Sequence, residues 1–452
     1  MLPLAGSLAE LAPHFGGTFV QPADAQYDEV RRVHNGLIDK RPALIARCGG
    51  IADVADAVKL ARTLDLEIAV RGGGHNVAGR ATCDAGIMID LSPMKGVIVD
   101  AAARTVHAQG GVLWKELYRH TQAYALATPG GVVGTTGVAG LTLGGGLGWL
   151  MPKYGLALDN LQSVELVLAD GTVCRTSEKE QSDLFWAVRG GGGNFGVAAS
   201  LEYRLHPVGP IVTGGLVAHP QARAREVLTL FRETCATVSD DVMLVCGLLT
   251  APDGVTKIAG IVGGHFGPAA QAEKDFKPLK EFGPPVMDAL GPIPFTMLNS
   301  LLDDSFPKGA LNYWKSSFVK ELDEGVSDVL IEAAASAPTP MCSIVIEHFH
   351  GAVTRIPVSA TACTLRTEGF NVIIIGEWLE PADTDGCKAW VRNTYSRLQP
   401  YLGTTRYVNY LEDDVEDGAA AVYGSNYARL REIKTKYDPG NVFHVNVNIK
   451  PA

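Results

Sequence analysis

Arg71-Gly72-Gly73-Gly74-His75-Asn76-Val77-Ala78-Gly79 follows Leu66-Glu67-Ile68-Ala69-Val70, a short apolar run with strand character. Three consecutive glycines suit neither a strand nor a helix interior. They give access to positive φ and let backbone N–H groups approach a ligand closely. Successive N–H groups around such a turn form a concavity for an anion, such as a phosphate or pyrophosphate. The next side chain, His75, lies within reach of anything held there. Alone, the nonapeptide is better explained as a tight turn.

The chain returns to the same composition twice. Nine glycines fall between Gly130 and Gly148, in Thr128–Gly140 running into Leu141–Gly148. Each interior glycine costs roughly 0.5–1 kcal/mol relative to alanine, so such a stretch is chosen for close approach and not for helix or strand stability. The third cluster is Arg189–Val197, with four glycines at 190–193 and another at 196. Gly191–Gly196 matches GxGxxG by letter. It follows a helical pattern (Asp183–Val188) and precedes a strand (Ala199–Leu205). A dinucleotide fingerprint needs the opposite order, so a nicotinamide site is discounted.

Outside these clusters the chain reads as an ordinary globular protein. It has 452 residues, 46% hydrophobic and 19% charged, enough for two domains with sizeable cores. The net charge of -10 and the lack of a basic stripe argue against nucleic acid. No apolar run is long enough to span a membrane. Met1–Gly17 lacks a basic n-region, giving a cytoplasmic enzyme as the expectation. The eight cysteines are scattered without CxxC spacing, so neither a zinc site nor a disulfide framework is expected.

Pro42–Cys48 reads as a strand, Asp53 as the cap of a helix with Val54, Ala57, Val58, Ala61 and Leu64 on one face, and Leu66–Val70 as a strand. That strand–helix–strand unit predicts parallel pairing across a crossover. An amphipathic helix is predicted over Tyr27–Ile38 (Val30, Val33 and Leu37 on one side). Asp170-Gly171 predicts a hairpin turn. Beyond residue 210 the clusters cease. Strands at Val242–Thr250, Ile258–Gly263, Ile344–Phe349 and Val372–Trp378 alternate with helices at Ala222–Thr237, Gln271–Phe282, Ser327–Ala335 and Asp383–Leu398. This predicts a separate α+β unit with an antiparallel sheet covered on one face. Tyr407–Leu411 reads as a strand or loop edge, Tyr427–Tyr437 as a helix. Alternation in Phe443–Ile449 puts Asn446 and Asn448 on one side.

In order and spacing, Arg71–Gly79, Pro129–Asn160, Phe185–Val197 and Tyr437–Ile449 resemble the FAD-linked oxidases of the berberine-bridge-enzyme-like group, within the vanillyl-alcohol-oxidase-type (PCMH-type) flavoprotein fold. The pattern is most similar to the bacterial 6-hydroxy-D-nicotine oxidase-like branch. The resemblance implies an α+β, two-domain chain. Residues 1–207, with 406–452 returning to them, would bind FAD, and 208–405 would bind a small-molecule substrate. It implies flavin contacts from Arg71, Gly72, Gly73, Gly74, His75, Asn76, Gly79, Thr135, Thr136, Gly137, Gly140, Gly144, Gly145, Gly148, Asn160, Val197, Asn446 and Asn448. His75 stands where the family carries a covalent bond to the flavin 8α-methyl carbon. Val133 stands where many relatives have a second, cysteinyl link, which valine cannot form. Thr136 occupies a position that influences oxygen access in the family. Its small size favours an oxidase that reduces O2 to H2O2.

Tyr410, in Val408-Asn409-Tyr410, resembles the family's active-site base, with a packing or binding role equally open; as a base it would need a lowered pKa. Glu347, His348 and His350 lie on a strand that could face the site. Alternation groups the two histidines opposite Glu347, and no third ligand makes them a metal pair. A dehydrogenase using another acceptor and a flavin-binding protein without turnover are the competing readings. A homodimer is left open.

Overall fold

The structure, a computed structural model, describes residues 4–412 and 418–452. The predicted crossover is present, with one refinement. Strands Leu44–Arg47 and Ile68–Arg71 flank Ile87–Asp90, and each pairs with it in parallel. Thr18–Val20 adds an antiparallel edge. Helix Ile51–Thr63 buries Val54, Ala57, Val58 and Ala61 against this sheet. Asp53 does not cap it. Gly50 takes the cap position, and Asp53 sits in the first turn, accepting N–H bonds from Gly16 and Gly49 at 2.8 and 2.7 Å. A carboxylate there also complements the positive end of the helix dipole.

The helix predicted over Tyr27–Ile38 stops at Val30. Arg31 is buried and ion-paired to Asp28 and Asp39, both at 2.7 Å. The chain then leaves helical geometry because better partners lie elsewhere. The His34 N–H donates to the Gly74 carbonyl at 2.9 Å, and the Gly36 N–H to Ala310 at 2.8 Å. An apolar periodicity of three residues was outweighed by long-range backbone bonds.

A second, five-stranded antiparallel sheet runs in the order Val97–Asp100, Thr105–Gln109, Val197–Arg204, Leu161–Val167, Val173–Ser177. Its last two strands are joined by the Asp170-Gly171 turn, where Gly171 has φ +80°.

The third sheet has eight strands and is antiparallel throughout. The four expected strands are in it. Ile211–Pro220 and Leu311–Val319 also join it and were not read from the sequence. Helices Ala224–Cys235, Glu324–Ala335 and Thr384–Leu398 cover one face. There Phe231, Leu330 and Val391 pack with Ile344, Ile346, Val372 and Ile374. The helix expected over Gln271–Phe282 is two, Ala269–Asp275 and Lys277–Glu281. Pro278, at the second position of the latter, cannot donate to the preceding turn. Tyr407–Leu411 forms a 3-10 turn at Val408–Tyr410, not a strand.

Helix Tyr427–Tyr437 anchors the closing segment. Buried Lys434 bonds Asp438 at 2.6 Å, the Phe443 carbonyl at 2.8 Å and the Asn194 carbonyl at 2.5 Å. The Asn194 side chain receives the Ile449 N–H at 3.1 Å and donates to the Val447 carbonyl at 3.0 Å. Residues 443–449 are thereby fixed against the third glycine cluster without joining a sheet.

Candidate functional site

The uncovered face of the eight-stranded sheet and the three glycine clusters enclose one cavity of about 950 Å³. That lies at the upper end of the roughly 300–1,000 Å³ range of ligand pockets.

One wall is main chain. A Cβ on Gly73 would lie 2.3 Å from the Gly137 nitrogen, and one on Gly137 equally close to the Gly73 nitrogen. The first two clusters therefore meet backbone to backbone, which only glycine permits. Gly74 turns the chain at φ +70°. Among the described residues, the N–H groups of Gly73 through Val77 donate to no protein acceptor. Five consecutive free donors bordering a cavity form an anion-binding nest. A dinucleotide cofactor fits this wall: the nest suits a pyrophosphate, and the glycine-only contacts leave room for a flat ring system.

Several of the residues expected to contact FAD line the cavity: Gly72, Gly73, Gly74, His75, Asn76, Thr136, Gly137, Gly140, Gly144, Val197 and Asn446. Others stand behind it. Arg71 turns away, bonding both Asp90 oxygens at 3.0 and 2.6 Å and the Arg32 carbonyl at 3.1 Å, and also reaching the Val30 carbonyl. It shapes the turn instead of facing the cavity. A Cβ on Gly79 would strike Ile38, and one on Gly148 the Gly130 carbonyl at 1.7 Å. Gly145 is set by φ +140°. Asn160 clasps the Tyr154 and Leu156 carbonyls and meets His206 at 2.6 Å. Asn448 lies off the wall with its Oδ1 buried and unpartnered. Thr135 stands behind His75, its hydroxyl 2.8 Å from Nε2.

His75 also stacks on His34, ring centroids 3.8 Å apart. Burial, then the neighbouring His34, holds the His75 imidazole down to about 3; burial, then Lys308, holds His34 down to about 4. Both rings are neutral at physiological pH. A neutral imidazole keeps the lone pair that a nucleophile needs. His34 was missed from sequence because it fell inside the helix predicted there. Val133 lines the cavity, and no described lining residue is a cysteine.

The opposite wall consists of side chains. Val345 and Glu347 on Ser343–Phe349, Ile373 and Ile375 on Gly369–Trp378, and Trp314 face the cavity by strand alternation. His348 and His350 stack together on the reverse face, centroids 4.1 Å apart.

The surroundings of Tyr410 bear on the base reading. The Tyr410 phenol donates to Glu347 Oε1 at 3.3 Å, and the Asn371 amide donates to Oε2 at 2.7 Å. Burial, then adjacent Glu347, drives the Tyr410 pKa well above its ordinary value, opposite to what a base needs. Glu347 is itself pushed up to about 7 by burial, held in check by those two hydrogen bonds. Of this pair the carboxyl changes charge near neutrality.

Among the described residues no helix is long and apolar enough to cross a membrane, and no cluster of three potential metal ligands occurs.

Comparison with known proteins agrees with this geometry. Residues 42–177 match the FAD binding domain family model, and residues 406–450 the berberine and berberine-like model. An FAD-linked oxidoreductase of Dictyostelium discoideum is 32% identical over 442 residues, covering 96% of this chain and 95% of the relative. (R)-6-hydroxynicotine oxidase of Paenarthrobacter nicotinovorans is 31% identical over 447 residues, covering 96% and 97%. The crystal structure of 6-hydroxy-D-nicotine oxidase from Arthrobacter nicotinovorans superposes with a TM-score of 0.88 at 29% identity, covering 97% of this chain and 98% of that one. The fold is the two-domain α+β architecture of vanillyl-alcohol-oxidase-type flavoproteins. The chain belongs to the berberine-bridge-enzyme-like family of FAD-linked oxidoreductases.

Proposed function

We propose that this protein is an oxidase that removes two electrons from a small organic alcohol, amine or phenol, with FAD covalently held through His75 and O2 reduced to H2O2. FAD, when bound, supplies the two-electron acceptor. In this reading residues 1–207 and 406–452 hold it, and 208–405 hold the substrate. The N–H groups of Gly73, Gly74, His75 and Asn76 receive the pyrophosphate. Thr136, Gly137, Gly140, Gly144, Val197 and Asn446 border the rest. Thr135 orients the His75 ring through Nε2, burial keeps the ring neutral, and stacking on His34 holds it in place. A single histidyl link is supported by Val133 at the second attachment position.

Hydride loss from the carbon of an alcohol also requires loss of the O–H proton, and an ammonium must shed a proton before its carbon can give up hydride. Glu347 is the proton acceptor proposed here. The observation that carries this is a buried carboxyl on the cavity wall, tuned to about 7. Tyr410 and Asn371 position it by hydrogen bonds. The relative's oxidation of a hydroxynicotine supports the reaction class without fixing the substrate here.

The test is direct. Denatured protein should remain yellow, with an intact mass increased by one FAD, and His75→Ala should release the colour. Turnover in air should yield peroxide with each two-electron oxidation. Colour that stays attached in His75→Ala overturns the linkage. A reduced flavin that air fails to reoxidise makes the protein a dehydrogenase.

A further inference from the structure

A second carboxyl on the sheet wall has no part in the chemistry above. Glu377 lies on Gly369–Trp378, the strand that also presents Asn371 beside Glu347. Asn371 and Glu377 are six positions apart, so the two share a face, roughly 20 Å apart at about 3.3 Å per residue. Between them the lining is mainly apolar, with Val345, Ile373, Ile375 and Trp314, and Ser343 the polar residue opposite Ile375. The cavity is thus an oily trough with an acid near each end.

The two acids differ in their surroundings. Glu347 has Asn371 and Tyr410. Glu377 is 1% exposed, and among the described residues no hydrogen bond reaches its carboxyl; Oε1 is buried and unpartnered. Nearby Asn312 spends its own groups elsewhere, donating to the Ala310 carbonyl and accepting from Trp314 Nε1. Burial alone lifts the Glu377 carboxyl to about 8. Buried carboxyls are normally paired, so an unpartnered one on a cavity wall is free to accept a hydrogen bond from a ligand. The lining also favours positive charge. It carries three carboxyls, Asp304, Glu347 and Glu377, against one permanent cation, Arg80.

We propose that Glu377 recognises a positively charged nitrogen on the substrate, at the opposite end of an apolar spacer from the bond that is oxidised. An ammonium brought against this carboxyl makes a charge-assisted hydrogen bond shielded from water. The substrate class is an elongated molecule with an oxidisable group near Glu347 and a basic amine near Glu377. This rests on the oxidase reading only for which end reacts.

The test is calorimetric titration of the purified holoprotein with 4-phenylbutylamine and its neutral isostere 4-phenylbutan-1-ol. Wild type should bind the amine at least about tenfold more tightly, and Glu377→Gln should bring the two within about twofold by weakening the amine alone. Equal affinities in wild type overturn the proposal, and this arm needs no variant to fold. So does a preference that survives in Glu377→Gln, or one abolished by Glu347→Gln instead. The readout requires no electron transfer. A colourless protein would therefore sink the oxidase reading while still reporting on Glu377.

Discussion

The cavity's two walls are built by opposite means. The glycine wall recognises by leaving atoms out: Gly73 and Gly137 touch through main chain, and a row of N–H groups stands free. The sheet wall recognises by adding atoms to a regular scaffold, with Glu347, Glu377 and Trp314 projecting at alternate positions. The first wall should be sensitive to bulk. The second should be sensitive to charge and tolerant of shape.

The largest expected effect lies on the sheet wall. Glu347→Gln preserves shape and removes the proton acceptor, and should lower kcat by about 10²–10⁴-fold. In wild type, kcat should rise through pH 7 and level off above it, since Glu347 must be ionised to act. That limb should vanish in the variant. A loss under tenfold would return the base to another residue.

The same substitution should act on stability with the opposite sign. Folding raises the Glu347 pKa from 4.5 to about 7, so the folded state binds the extra proton. Its contribution is full below pH 4.5 and is lost as pH rises through 7, a difference of about 3 kcal/mol. Glu347→Gln should therefore melt higher than wild type at pH 8.5 and not at pH 4.5. A lower midpoint at pH 8.5 would contradict the charge-sensitive character of this wall.

On the glycine wall, Gly137→Ala adds one methyl 2.3 Å from a backbone nitrogen. Overpacking of this kind costs about 1–3 kcal/mol. A depressed thermal midpoint with reduced flavin content is expected, little affected by pH between 5 and 8. The smallest change should come from Tyr410→Phe. Its hydrogen bond lowers the Glu347 pKa, so its loss should move the kcat limb to higher pH while the plateau stays within about tenfold. A collapse of the plateau would restore Tyr410 as the base.

The difference between the walls also explains what could be read from the residues alone. Glycine clusters are conspicuous because they violate the composition of any regular element, and their order carried the family and the fold and put His75 on the cavity wall. Alternation in Ile344–Phe349 separated Glu347 from the two histidines correctly. Glu377 escaped notice because it ends an ordinary apolar strand, and its isolation depends on neighbours from Leu311–Val319. His34 was hidden by a helical periodicity that bonds to Gly74 and Ala310 override. Tyr410 was assigned by position in a motif, whereas its ionisation is decided by burial and a carboxyl 63 residues away in sequence.

Lys434, sealed inside with its carboxylate partner and two carbonyls, fixes the stretch around Asn446 onto the rest of the cavity. Because the pocket's rim draws on residues as distant as His34 and Val447, no binding site exists while the polypeptide is still emerging from the ribosome. Cofactor capture then waits on synthesis of the chain through Val447.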